Sequence, residues 1–287
     1  MVRKLTWFDG LNLLLMVLVV AVTLYPFYYM LIVSVSDQAH VLKGEISVWP
    51  KGINLEMYDY VVKDGRIFNG YKNTLIYVTL GTCISLVITS MGAYALSKKT
   101  MVFAKTFMFL IIVTMFIQGG MIPTFLVVKQ LGLVNTMWAM VLPGAIATWN
   151  LIIMRTFFSN IPKELEESGK LDGLSDVGIF VKIVVPLSKA VFATIGLFYA
   201  VQIWNNYMGP LIYLRNADLF PLQVMLREIV LAGQLTGSEG AVTDNYIMAE
   251  DSLKYATVMM STLPILIIYP FLQKHFVKGA MIGSVKG

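Results

Sequence analysis

Between Pro162 and Leu187 the chain reads PKELEESGKLDGLSDVGIFVKIVVPL, with five carboxylates and three lysines in a sequence that is only 14% charged. No catalytic constellation accompanies them. The two histidines, His40 and His275, lie in separate flanks, with no paired metal motif and no nucleophile beside an activating base. They read as solvated loop residues, and no metal ligand set or bound cofactor is expected. A G-x-x-x-x-G-K-[ST] stretch is absent, so the chain has no P-loop of its own for ATP. The chemistry open to the charged stretch is therefore electrostatic docking rather than bond making.

Local rules predict a helix–turn–helix over this stretch. Ser159 or Asn160 can cap the start, and Pro162 suits a first helical turn. Glu164, Glu166 and Glu167 then fall near the positive end of the helix dipole. Gly173 fits a left-handed C-cap, Ser175 or Asp176 can cap a second helix through about Val184, and Pro186 marks the junction with the fifth span. The pair also carries Ile161, Leu165, Leu171, Leu174, Ile179 and Phe180. These apolar side chains require a surface: the membrane face, neighbouring loops or a partner protein.

The elements around the pair are those of an integral membrane protein. Of 287 residues 57% are hydrophobic, and the mean hydropathy is +0.72. Soluble domains average about 25% charged residues and about 45–50% apolar ones. Six apolar segments approach the roughly 20 residues that a spanning helix needs: about Leu11–Val33, Leu75–Leu96, Val102–Ile117, Met137–Phe158, Val184–Ile203 and Ala256–Phe271. Arg3 and Lys4 before the first run resemble a signal peptide, but the run is longer than the usual h-region of about 7–15 residues. An uncleaved span is expected. The net charge of +5 flanks apolar segments instead of forming a stripe, which argues against nucleic acid. Cys83 is the single cysteine and says nothing about redox compartment.

With six spans, cytoplasmic termini put thirteen of the 22 lysines and arginines inside, as the positive-inside rule favours. The charged stretch is then cytoplasmic. The outside segments are about 36–72, 118–135 and 206–255, with Gly233–Asn245 a loop by composition. Tyr25, Tyr28, Tyr29, Trp204, Tyr207, Tyr213 and Tyr255 read as an interfacial aromatic belt. Ser85, Thr89, Ala93 and Ser97 recur every four residues and read as a helix-packing face.

The stretch also resembles the cytoplasmic signature of binding-protein-dependent ABC importer permeases: E-A-A, three residues, G, nine residues, I, one residue, L-P. Glu167-Ser168-Gly169 stands at the E-A-A positions, then Gly173, Ile183, Val185 and Pro186. Ser168, Gly169 and Val185 depart from the pattern, while the spacing is intact. The segments NTLIYVTLGTCISLVITSMGAYALSK, GLVNTMWAMVLPG, WNNYMGPLIYL and the terminal GAMIGSVKG are similar to carbohydrate permeases of the MalG type. Among these the chain most resembles the complex-oligosaccharide permeases often called LplC- or YtcP-like.

The resemblance implies an all-α membrane protein with six transmembrane helices. It implies a type I ABC importer permease (MetI-like) fold with a cytoplasmic coupling helix. An N-terminal helix and extracellular segment (1–70) would precede a permease core (71–274, coupling loop 159–186) and a cytoplasmic tail (275–287). The implied setting is a bacterial plasma membrane. The implied partners are a second permease in a heterodimer, two ATPase subunits that hold ATP and Mg, an extracellular sugar-binding protein and an oligosaccharide. Glu164, Leu165, Glu167, Ser168, Gly169, Asp172, Gly173, Leu174, Ile183 and Pro186 would form the ATPase-coupling site. Gly283, Ser284, Val285 and Lys286 would insert between the ATPase subunits; by composition the tail also reads as a frayed terminus.

Sugars are bound by aromatic faces with amides and hydroxyls. Gln118, Trp149, Asn150, Gln202, Trp204, Asn205 and Asn206 are the pathway candidates, and each also fits an interface belt or an interhelical hydrogen bond. A secondary, ion-coupled transporter would need ionisable groups at membrane depth, and no Asp, Glu or His lies well inside a span. An ABC exporter would lack the signature loop. An importer of a non-sugar solute shares that loop, and only the wider resemblance favours carbohydrate.

Overall fold

The computed structural model describes residues 6–98, 100–117, 119–236, 252–264 and 266–267. Among these the regular structure is helical, apart from one isolated antiparallel bridge between Ser36 and Ile53. The first helix, Trp7–Ser34, starts at a capping box. The Asp9 carboxylate accepts the Thr6 amide at 2.8 Å, and Thr6 Oγ1 accepts the Asp9 amide at 3.4 Å. Its side chains are exposed along most of its length, and only Ile32, Val33 and Ser34 are buried. That is the pattern of a helix solvated by hydrocarbon.

The longest helix, Arg66–Ser97, has 32 residues. It and Trp7–Ser34 are the two described helices long and apolar enough to cross a bilayer singly. Two bent pairs raise the number to four if each is one span: Ala104–Phe116 with Met121–Gln130, bent by 116°, and Asp176–Leu187 with Lys189–Trp204, bent by 84°. By length and composition the described helices thus support two to four of the six expected spans. The fourth apolar segment forms two helices, Trp138–Val141 and Thr148–Ser159. Pro143-Gly144 lies between them, and proline cannot supply the amide that helix continuation needs. The fifth begins at Lys189, after the bend at Ser188. The sixth is helical over 252–264 and at 266–267.

The chain divides into two compact units, Met1–Phe68 with Met225–Ile265, and Asn69–Val224 with Leu266–Gly287. In the first, Ile32, Val33 and Ile46 form a small core with Tyr29, Val41 and Tyr255 packed against it. Glu45 organises the exposed loop nearby. His40 Nδ1 lies 2.7 Å from it and Lys51 Nζ 3.3 Å. The His40 hydrogen bond, followed by Lys51, holds its carboxyl below the ordinary carboxylate range.

In the second unit the small-residue face of Arg66–Ser97 is a packing face. Ser85, Thr89 and Ala93 are buried on it, and Ser97 is half-buried. Thr89 Oγ1 lies 2.7 Å from the Tyr199 hydroxyl, which also accepts the Ala147 amide at 3.0 Å. One phenol thus ties the long helix, helix Lys189–Trp204 and the residue that precedes Thr148–Ser159. The main core collects Ala93, Tyr94, Met154, Phe158, Ile179, Val184, Ile195 and Tyr199.

The described part of the 206–255 segment is largely helical. It contains helices Met208–Tyr213 and Leu222–Thr236, so residues 233–236 of the expected loop are helical. Side chains of the long helix hold the turn between these two helices. Asn73 Nδ2 donates to Asp218 O (2.6 Å) and Phe220 O (3.0 Å), Tyr77 Oη donates to Leu219 O (2.8 Å), and Thr74 Oγ1 accepts the Leu222 amide (2.9 Å). Tyr213 is buried and stacked on Phe125 at 6.2 Å, and so belongs to the core rather than to an aromatic belt.

Candidate functional site

The charged stretch folds as a hairpin of two helices. The first, Lys163–Leu171, follows Pro162, and no side chain caps it. Asn160 instead closes the preceding helix, so the expected Ser159 or Asn160 cap is not used. The turn is a Schellman motif: the Leu174 amide donates to Gly169 O at 2.9 Å and the Gly173 amide to Lys170 O at 3.0 Å. Gly173 sits at φ +77°, where a side chain would strain the backbone. Ser175 caps the second helix by accepting the Gly178 amide at 3.2 Å. That helix does not end near Val184. It passes through a π-helical turn, Phe180–Val184, and ends at Leu187 before the 84° bend.

Gly169 sets the closeness of the two arms. A Cβ at this position would lie 2.8 Å from Ile183 Cδ1 and 3.2 Å from Ile179 Cγ1. Ile179 is fully buried, and Leu174, Phe180, Ile183 and Ile161 pack against the same core. Four of the six apolar residues expected on the hairpin, Ile161, Leu174, Ile179 and Phe180, are thereby accounted for internally. Of the hairpin's other apolar residues, Leu171 is 90% exposed, Val177 72% and Leu165 41%. Glu164, Glu167, Ser168, Asp172 and Gly173 are exposed on the hairpin with them, as is Pro186 near the bend. The expected coupling residues therefore split. Gly169, Leu174 and Ile183 hold the hairpin together, and the rest present a mixed acidic and apolar surface.

Two residues outside the expected set join this hairpin to the rest of its unit. Glu166 is the first helix's inward-facing carboxylate, and it pairs with Lys98 just past the end of Arg66–Ser97. The Lys98 ammonium also lies 4.0 Å from the centroid of the Tyr94 ring. Neither residue belongs to the signature, and only their meeting in space marks them.

The described pathway candidates lie on two neighbouring helices and the residues just after one of them. Asn150 is buried and Trp149 is 61% exposed on the first turn of Thr148–Ser159. Gln202 is exposed and Trp204 half-buried at the end of Lys189–Trp204. Asn205 Nδ2 donates to Val201 O at 2.9 Å, and Asn206 Oδ1 accepts the Gly209 amide at 3.1 Å, so both serve local backbone. Gln118 and the tail residues Gly283–Lys286 lie outside the described residues.

Residues 85–281 match the family model described as the binding-protein-dependent transport system inner membrane component. The chain belongs to that family. Among curated proteins it is 42% identical to Protein LplC of Bacillus subtilis (strain 168), over 98% of this chain and 95% of that protein. It is 41% identical to the polygalacturonan/rhamnogalacturonan transport system permease protein YtcP of the same organism, over 98% of both. Its structure matches a chain in the crystal structure of a bacterial ABC transporter involved in the import of the acidic polysaccharide alginate. That match has a TM-score of 0.85 and 32% identity, and it covers 94% of this chain and 96% of the other. The fold is therefore the MetI-like fold of ABC importer permeases. The protein is an inner membrane permease component of a binding-protein-dependent transport system.

Proposed function

We propose that this permease lines, with a second permease, the pathway of an oligosaccharide importer driven by two ATPase subunits. ATP and Mg would reside in those subunits, and an extracellular binding protein would deliver the sugar. The single observation that carries the coupling assignment is the outward surface of the hairpin. Leu165, Leu171 and Val177 stand exposed beside Glu164 and Glu167, while Gly169 and Ile179 lock the same hairpin to the core. An ATPase cleft with apolar walls and a basic rim would complement this surface. Each charge-assisted hydrogen bond there would contribute about 1.5–3 kcal/mol. The surface is cytoplasmic in this reading, with both termini on the same side of six membrane crossings, as the lysine and arginine distribution favours.

The substrate class follows from the relatives, whose names specify polygalacturonan/rhamnogalacturonan and alginate. Gln118, Trp149, Asn150, Gln202, Trp204, Asn205 and Asn206 remain the pathway candidates, with one amide atom each of Asn205 and Asn206 engaged by the local backbone. Purification from a bacterial membrane in detergent should recover an ATPase pair, a second permease and a sugar-binding protein. After reconstitution, ATP-dependent uptake of an oligogalacturonate and of a neutral oligosaccharide tests the substrate class. Uptake of neither, or uptake without an ATPase, would overturn the reading.

A further inference from the structure

We infer that Lys98 and Glu166 form a strut that carries movement of the coupling hairpin into the Arg66–Ser97 helix. The inference rests on the coupling role proposed above and adds to it the route by which motion leaves the hairpin.

Along the first hairpin helix Glu164 and Glu167 face outward, whereas Glu166 turns inward. Both members of the Lys98–Glu166 pair keep only 21% of their side-chain surface exposed. Water and salt therefore screen the pair less than an ordinary surface ion pair. Lys98 follows the last turn of the long helix, where a cation also meets the negative end of the helix dipole. The same ammonium lies over the Tyr94 ring. That ring in turn meets Phe180 of the π-helical turn, with centroids 5.0 Å apart. The end of the long helix thus touches both arms of the hairpin, Glu166 on one and Phe180 on the other. Arg155 of helix Thr148–Ser159, which precedes the hairpin, also donates its Nε to Leu96 O at 3.1 Å.

Ala93 and Tyr94 of the long helix also share a buried core with Ile179 and Val184 of the second arm. A mostly apolar groove of about 770 Å³ separates Leu86, Val87 and Met91 of the long helix from Val181 and Val185 of the second arm, and Lys98 lies on its lining. Packed interiors transmit displacement, and a groove of this size does not. On the groove side, force from the hairpin therefore reaches the long helix through Lys98 and Tyr94. The Schellman turn and the Gly169–Ile183 approach make the hairpin a stiff body, so a push on its outer face arrives at Glu166 with little loss.

The test uses the reconstituted transporter and reads ATP hydrolysed per oligosaccharide moved, together with thermal stability and ATPase retention. Lys98→Glu and Glu166→Lys should each raise that ratio at least about fivefold, the lower end for a coupling free energy between sites. The double variant should recover most of the loss, and Lys98→Arg should behave as the parent. Glu166→Gln, which preserves side-chain shape, gives the same reading if either charge reversal fails to insert. A parental ratio in the single variants, or no recovery in the double, overturns the strut. Lower stability at a parental ratio shows a merely structural pair and overturns it equally. Gly173→Asp, run in parallel, separates the two ideas. If it uncouples while the Lys98 and Glu166 variants do not, the hairpin is the ATPase contact and the strut is wrong. If it has no effect while the pair uncouples and is rescued, the strut stands and the docking face is misplaced.

Discussion

Tyr199 shows how much one hydroxyl can organise. It sits in the main core, 1% exposed, and its oxygen meets both Thr89 Oγ1 and the Ala147 amide. Tyr199→Phe keeps the ring but leaves that amide without its acceptor, which costs about 1–3 kcal/mol when the group is buried. Thermal unfolding of the detergent-purified protein should show a lower transition for this variant, and an unchanged transition would remove the junction from the account. Gly169 illustrates the converse, a residue defined by what it lacks. It stands at an alanine position of the signature, where the approach of Ile183 and Ile179 leaves little room for a methyl group. Its departure from the family pattern was plain in the sequence, but its reason is visible only with Ile183 in place.

At the level of elements, the hairpin was the most legible part of the chain. Gly173, Ser175 and the spacing from Glu167 to Pro186 announce a turn with a left-handed glycine and a capped second helix, and the structure has both. Pro186 announced the junction with the fifth span, and the bend falls two residues on, at Ser188. Sequence reasoning missed the π-helical turn, because Phe180–Val184 is equally compatible with an α-helix. The partition of leucines was also hidden. Leu174 packs inward and Leu171 outward, and a turn of two residues separates them. Gly173→Asp belongs at this scale. The position has open space around it but a positive φ, and aspartate is among the residues that tolerate that region. The hairpin should therefore survive while its tip gains a negative charge. The expected outcome is normal membrane assembly with ATP hydrolysis uncoupled from uptake, measured as hydrolysis and transport in the same vesicles at equal protein level. Full sugar uptake would contradict it.

For the molecule as a whole, membrane character and family were readable before any coordinates, through apolar segments and a signature with intact spacing. The number of straight spans was not. Pro143-Gly144 and the bend at Ser188 divide apolar runs that a hydropathy count joins. The tail carries a prediction that the sequence resemblance alone supports, since Gly283–Gly287 lies outside the described residues. Deleting Ser284–Gly287 should lower the stimulation of ATPase activity by sugar-loaded binding protein in the assembled transporter. An unaltered response would argue against insertion between the ATPase subunits.

Taken alone, the order of residues determined that this chain is apolar, helical and built around an acidic hairpin, because periodicity, capping and spacing are local properties of a chain. It also carried the family, since a signature is a pattern along one dimension. Tertiary structure alone decided that Glu166 faces Lys98, 68 positions away, and that Tyr199 reaches both Thr89 and Ala147. Which of three neighbouring glutamates turns inward depends on what the helix packs against, and that surface is assembled from distant segments only when the chain folds.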